Sequence, residues 1–351
     1  MPETIRLVEP AFNPEELPAI AAALNGTADN ALPAVEQAVA NCTRQHDAVA
    51  VASFEDATVM LLKASGVGPG KEVVAGGLLD ARLEAAVHRV GARLVCVDVD
   101  PVHLGPDVEA LAHAMTASTR AVFAGPIDGN CTMVEAIAVA CVRQGVAFVE
   151  IVSAWLGLQA GDRPLGARGR AALIDLGGLS PCGVEYGGAV ATSDNTLACA
   201  CRALRTTSGP APCILPPSMA VIAALRLARL DAINESCTRA AGMYVRTLAG
   251  TAELTLPALQ GPAWPRFVVR LDDALSETER EEILDGMRRH DIEVCMTVET
   301  AGSAAKTCPR AVAMAPRLLT LPLHAQLSDA DVSLVAQTLE LMIQRATFHR
   351  D

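Results

Sequence analysis

Apolar and polar positions along this chain follow two rhythms that take turns. Short apolar runs recur at "DAVAVAS" (47–53), "KEVVAGG" (71–77), "RLVCVDVD" (93–100), "TRAVFAG" (119–125) and "VAFVEIV" (146–152). Between them lie longer segments with helical spacing: "PAVEQAVANCTRQH" (33–46), "DATVMLLKASG" (56–66), "LLDARLEAAVHRVG" (78–91), "DVEALAHAMT" (107–116) and "TMVEAIAVACVRQG" (132–145). Apolar runs of this length, each followed by an amphipathic crossover segment, predict parallel strands buried on both faces with helices packed over them.

The rhythm then changes. "AALIDLG" (171–177) and "GGAVATSD" (187–194) read as two strands with no helix between them. A long helical stretch over 216–250 is predicted to bend. Beyond it, "PRFVVRLDD" (265–273), "IEVCMTV" (292–298) and "RLLTLPLH" (317–324) alternate with helical "SETEREEILDGMRRHD" (276–291) and "SDADVSLVAQTLELMIQRA" (328–346), a small α+β unit. Ser276 and Glu279 have capping-box spacing. The expected division is an N-terminal segment 1–32, a large domain 33–230 and a small C-terminal domain 231–351, linked by the helix around 216–250.

Composition narrows the partners. Lys and Arg number 28 against 40 Asp and Glu, a net charge of −12, which argues against nucleic acid and against an anionic membrane face. No run reaches the roughly 18 apolar residues of a membrane span. The opening "MPETIRLVEPAFNPEELPAI" lacks a basic region followed by an apolar one, so a cytoplasmic location is expected by default. Eleven cysteines, an odd number with no CxxC pair, do not read as a disulfide framework. Cys199 and Cys201 sit in helical "DNTLACACRALR", where such neighbours point to different faces, so no metal site is expected there.

Several pieces, in this order, carry a resemblance: "VASFEDATVMLLKASGVGPGKEVV" (51–74), "GARLVCVDVDPVHLGPDVEALAHAMTASTRAVFAG" (91–125), "DGNCTMVEAIAVACVRQGVAFVE" (128–150), "GDRPLGARGRAALIDLGGLS" (161–180) and "LLTLPLHAQLSDADVSLVAQTL" (318–339). The chain resembles, over nearly its whole length, the DegT-type sugar aminotransferases, which use pyridoxal phosphate (PLP). The resemblance implies an α/β, aspartate-aminotransferase-like fold: a large domain with a mostly parallel seven-stranded sheet between helices, plus a small C-terminal α+β domain. It also implies a homodimer whose sites draw on both subunits, and a place in nucleotide-sugar and surface-polysaccharide (lipopolysaccharide) biosynthesis.

The family's chemistry does not carry over. A PLP enzyme of this kind needs a lysine for the Schiff base, a carboxylate on the pyridine nitrogen and a phosphate cup. A gapless count from Leu165-Gly166 sets Asp175-Leu176 on the family's Ser-Phe pair and Ser180 on its lysine. The chain's three lysines, Lys63, Lys71 and Lys306, lie in unrelated segments. In "EIVSAWLG" (150–157) the pyridine-aspartate position is Ile151 and the family glutamine is Ala154. The SGT turn of the phosphate cup becomes Ser53-Phe54-Glu55, and its serine becomes Asp175. Two such charges ~4 Å from each other or from a phosphate repel by about 4 kcal/mol at an effective dielectric of 20. No cofactor is therefore expected.

The candidate cleft residues are Glu55, Glu150, Trp155, Asp175, Ser180 and Cys182. Cys182 reads as a nucleophile or, more plainly, a buried thiol with no histidine placed beside it. Glu55 and Asp175 form a carboxylate pair for acid–base work or a cation, or are paired with an arginine such as Arg163, Arg168 or Arg170. Trp155 and Phe54 are expected to close the cleft by packing, and His324 to lie at the surface. Three readings follow: a pseudo-aminotransferase that binds a nucleotide sugar or pairs with an active paralogue as a heterodimer; a PLP-independent enzyme using Glu55, Glu150, Asp175 or Cys182; and an ordinary PLP aminotransferase in which Lys63 or Lys71 reaches the cofactor.

Overall fold

The computed structural model describes residues 4–8, 14–26, 30–152, 155–178, 180, 183–207, 213–258, 264–296, 300 and 302–348. Two short helices, α1 (Leu17–Leu24) and α2 (Ala31–Thr43), lead into β1 (Asp47–Val51). Strand and helix then alternate: α3 (Phe54–Ala64), β2 (Glu72–Gly76), α4 (Ala81–Arg89), β3 (Arg93–Val97), α5 (Val108–Ala114), β4 (Thr119–Ala124), α6 (Val134–Gln144) and β5 (Ala147–Ile151). A small hairpin, β6 (Gln159–Ala160) and β7 (Arg163–Pro164), precedes β8 (Ala171–Asp175) and β9 (Gly188–Thr192), which are joined without a helix. These build one seven-stranded sheet in the order β1-β9-β8-β5-β4-β2-β3. Strands β3, β2, β4, β5 and β8 pair in parallel, and β9 runs antiparallel to both β8 and β1.

Helix α7 (Asn195–Thr207) returns the chain to α8 (Pro217–Leu227) and α9 (Leu230–Leu248). The bent helix expected over 216–250 is thus two helices, broken at Ala228-Arg229, where Arg229 leaves helical geometry at φ −111° and ψ 13°. A four-stranded antiparallel sheet follows, β10 (Leu254–Thr255), β11 (Phe267–Leu271), β12 (Cys295–Met296) and β13 (Leu318–Leu321), in the order β10-β11-β13-β12. Helices α10 (Glu277–Arg289), α11 (Pro309–Met314) and α12 (Asp329–Thr347) complete the chain, with α10 and α9 both packed on α12. The capping box at Ser276 and Glu279 is formed, and Ser328 with Asp331 makes a second one. The aspartate-aminotransferase-like α/β fold with a small C-terminal α+β unit is what the rhythm and the resemblance foretold.

Strand β12 is shorter than the run 292–298 suggested; 297–299 lie outside the described residues. The β6–β7 hairpin was not anticipated, although Gly161-Asp162 at its turn, with Gly161 at φ +69°, is the signal that marks one. The cysteines behave as small apolar residues: Cys201 is buried while Cys199 is exposed, and burial pushes the thiols of Cys131, Cys201 and Cys237 up to about 12. Among the described residues no helix is long and apolar enough to cross a membrane, and no cluster of His, Cys, Asp or Glu is arranged for a metal.

Glu150, next to the last residue of β5, is wholly buried. It accepts backbone N–H bonds from Gly166 at 2.8 Å and Gly169 at 2.5 Å, and a third from Arg168. It thereby staples the loop before β8 to the sheet and holds β8 in register. Glu150→Gln replaces one acceptor oxygen by an amide that faces donors; we expect a loss of about 2–3 kcal/mol of stability, read as a lower urea midpoint with an unchanged slope.

Candidate functional site

Open α/β sheets place ligand sites at the carboxyl ends of their strands, and the sequence-predicted positions gather there. Gly188 on β9 is the hub: it pairs with Val51 of β1 on one side and Asp175 of β8 on the other. A Cβ at 188 would meet the Ser53 carbonyl oxygen at 2.5 Å and Phe54 N at 2.8 Å. Only glycine lets the start of α3 sit this close to β9, and this brings Ser53 and Phe54 beside Asp175.

The start of α3 spends its anion-binding capacity on its own residues. Ser53 caps it, accepting from Asp56 N at 3.0 Å and donating to Asp56 Oδ2 at 2.8 Å. Glu55 turns outward to Arg89 at 3.1 Å. Asp175 points inward; its side chain is 8% exposed, and it accepts from Arg82 at 2.7 Å and from Gly177 N at 2.9 Å. Arg82 is fixed in turn by Asp80, the N-cap of α4, and its guanidinium lies 4.7 Å over the Phe54 ring. Burial pushes the Asp175 carboxyl above its ordinary value, and Arg82 pulls the other way. Neither Arg163, Arg168 nor Arg170 pairs with Asp175. Arg168 goes to Glu135 and Asp162, and Arg170 to Asp194. They precede β8, and a five-residue strand sets its two ends ~16 Å apart.

Ile151, the last residue of β5, and Trp155 just beyond it line a cavity of about 90 Å³ with Leu78, Leu79, Asp80 and Arg266. Trp155 is 1% exposed and meets Trp264 edge-on at 5.9 Å between centroids. Gly129, at φ +92°, fits beneath the pair; a Cβ there would come within 2.8 Å of one indole and 2.9 Å of the other. Phe54 is equally buried but does not line this cavity. Ser180 is 2% exposed, its N–H donating to the Gly177 carbonyl at 3.1 Å. Cys182 and Ala154 lie outside the described residues. His324 is not a surface residue: it is 8% exposed, because it follows β13, an interior strand of the small sheet.

Sequence reasoning missed Arg82, Asp80, Trp264 and Arg266. "LLDARLE" does carry a cap-and-arginine signal, but nothing local says that Arg82 reaches β8. Arg266 was the readable one, a charge at the mouth of the apolar run of β11.

The residues present do not fit PLP. None of the three lysines lines the cavity. Lys63 stands near the far end of α3, ~14 Å of helix from Phe54. Lys71 precedes β2 at the opposite edge of the sheet, and Lys306 is exposed. The space in that cavity, about 90 Å³, is smaller than the ~150 Å³ of an enclosed apolar cavity that admits benzene.

The mixed seven-stranded sheet, the crossover helices and the cleft at its carboxyl edge define an aminotransferase-type scaffold. A family model, DegT/DnrJ/EryC1/StrS aminotransferase family, matches residues 12–211 and 215–340. The chain belongs to that family. Among solved structures it is similar to DesV from S. venezuelae in complex with a ketimine intermediate, at 25% identity and TM-score 0.86, over 98% of this chain and 99% of that one. The aminotransferase TlmJ from Streptoalloteichus hindustanus aligns at 23% identity and TM-score 0.87, over 98% and 100%. The E coli GDP-4-keto-6-deoxy-D-mannose-3-dehydratase with bound hydrated PLP aligns at 16% identity and TM-score 0.85, over 96% and 100%, and shares the fold.

Because the folded-state pKa of Asp175 is raised above 3.8, the folded chain holds this proton more tightly than the unfolded chain. That contribution is fully present below 3.8 and is lost as pH rises through the folded-state value. Melting the natural protein and Asp175→Asn side by side from pH 4 to 7 should show the natural protein losing ground to the variant as pH rises.

Proposed function

We propose that this chain is a pseudo-aminotransferase: a DegT-family scaffold that does not use PLP and acts as a binding or partner subunit in nucleotide-sugar chemistry. One observation carries the reading. The phosphate-cup positions hold an internal ion pair, Asp175 with Arg82, seated over Phe54. A phosphate dianion arriving there would displace that pair and meet a buried carboxylate. Ile151 at the pyridine-nitrogen position and Ser180 at the lysine position support the same reading, as does the small cavity behind Trp155. Glu150 gives no support to PLP-independent acid–base work, since backbone N–H groups from Gly166, Arg168 and Gly169 already take up its carboxylate. Glu55 likewise faces Arg89 at the surface.

The family's habit of building sites from two subunits makes a homodimer, or a heterodimer with an active paralogue, the natural setting, with a nucleotide sugar as the ligand class. PLP added to the purified protein should give no visible band of lysine-bound cofactor, and borohydride should trap no lysine. Ser180→Lys alone should not restore binding, because Ile151 and the Asp175–Arg82 pair remain. A trapped peptide carrying Lys63, Lys71 or Lys306 would overturn the reading.

A further inference from the structure

The cavity contains a cation, Arg266, that forms no ion pair among the described residues, although Asp80 lines the same cavity. Arg266 precedes β11, and the β11–β13 ladder sets it beside Thr320, whose Oγ1 accepts from Arg266 at 3.1 Å. The guanidinium lies 5.8 Å over the Trp155 ring. Its Nε is buried with no hydrogen-bond partner, and among the described residues Arg266 forms no ion pair. Trp264 Nε1 is a second buried donor without a partner. Burial pushes the Arg266 guanidinium down to about 10, so it remains charged at neutral pH. Arg266 is half-buried as a residue, and a guanidinium whose Nε is withdrawn from water without a partner is costly to hold there. Among the described residues its partners are Thr320 and the Trp155 ring, neither of which carries a charge. The Asp175–Arg82 pair and the Trp155–Trp264 contact already close the cleft.

From this we infer that the cavity is a binding site for a short-chain monocarboxylate, its carboxylate held by Arg266 and its tail against Leu79, Ile151 and Trp155. The inference rests on the reading that PLP does not occupy this cleft. Three features select the ligand. The planar guanidinium fork matches a carboxylate in bidentate geometry. The volume of about 90 Å³ is below the ~150 Å³ of an apolar cavity that admits benzene, which favours acetate, propionate or pyruvate over a larger ligand. Asp80 lies on the same wall, so a monoanion is favoured over a dianion such as phosphate.

The chain has two tryptophans, Trp155 and Trp264, and both are in contact at this site. Intrinsic fluorescence therefore reads it directly. Acetate, propionate, pyruvate, phosphate and chloride are titrated at matched ionic strength, with melting temperature followed in parallel and PLP titrated separately by visible absorbance. A saturable fluorescence change and a raised melting temperature are expected with the monocarboxylates, at least about tenfold tighter than with phosphate or chloride, which is about 1.4 kcal/mol. Arg266→Met should abolish the response. Arg266→Lys keeps the charge without the fork and should weaken it about tenfold. No response beyond that of chloride, or an unchanged response in either variant, overturns the inference. Lysine-bound PLP would overturn the proposed function instead, and visible absorbance separates the two failures.

Discussion

A carboxylate carried out of water at the end of a β-strand must find donors or give up its charge, and two such groups organise this molecule. Glu150 and Asp175 stand on the neighbouring parallel strands β5 and β8. Glu150 is satisfied by backbone N–H groups, which commits the loop before β8 to a single path. Asp175 is satisfied by a side chain from another crossover unit, which commits α4 to lean across the cleft. The first solution is local and rigid. The second is long-range and writes a charge pattern into the place where a ligand would enter.

That pattern bears on what the cleft can hold. A site for a phosphorylated cofactor concentrates donors with no acceptor among them. Here the start of α3 carries Glu55 and Asp56, while the wall opposite carries Asp80 and Asp175, each matched with Arg82 or Arg89. Four carboxylates share two guanidinium groups, and no net positive field is left there. Arg266 lines the neighbouring cavity beside Trp155, where among the described residues it forms no ion pair and Asp80 is the acidic side chain on the same lining.

The fold was legible in the sequence because it rests on repetition. Each apolar run and each amphipathic segment carries its own signal, and their order fixes the sheet. The candidate site was readable only as a set of departures: Ser53, Phe54, Glu55, Ile151 and Asp175 were singled out because they break a pattern, and all of them lie at the carboxyl edge. Their partners were not legible. Arg82 reaches Asp175 across 93 positions of chain, and the arginines nearest in sequence, Arg168 and Arg170, are at the wrong end of β8. Contacts between crossover units depend on helix tilt and strand register together, and no local window contains both. The break at Ala228-Arg229 was missed for a related reason: "LRLARLDAI" keeps helical spacing through it, and tertiary packing decides where the axis turns.

The left-handed turn at Gly129 ties the aromatic plug to the backbone. Both indoles rest on a spot that tolerates no side chain, and the backbone there takes a conformation that other residues adopt only under strain. Reopening the cleft by design is therefore a loop problem before it is a side-chain problem. Trimming Trp155 or Trp264 would leave a hole above a glycine shaped to be covered. An engineer grafting new groups onto this scaffold would do better to replace the whole 125–133 connection than to change positions singly.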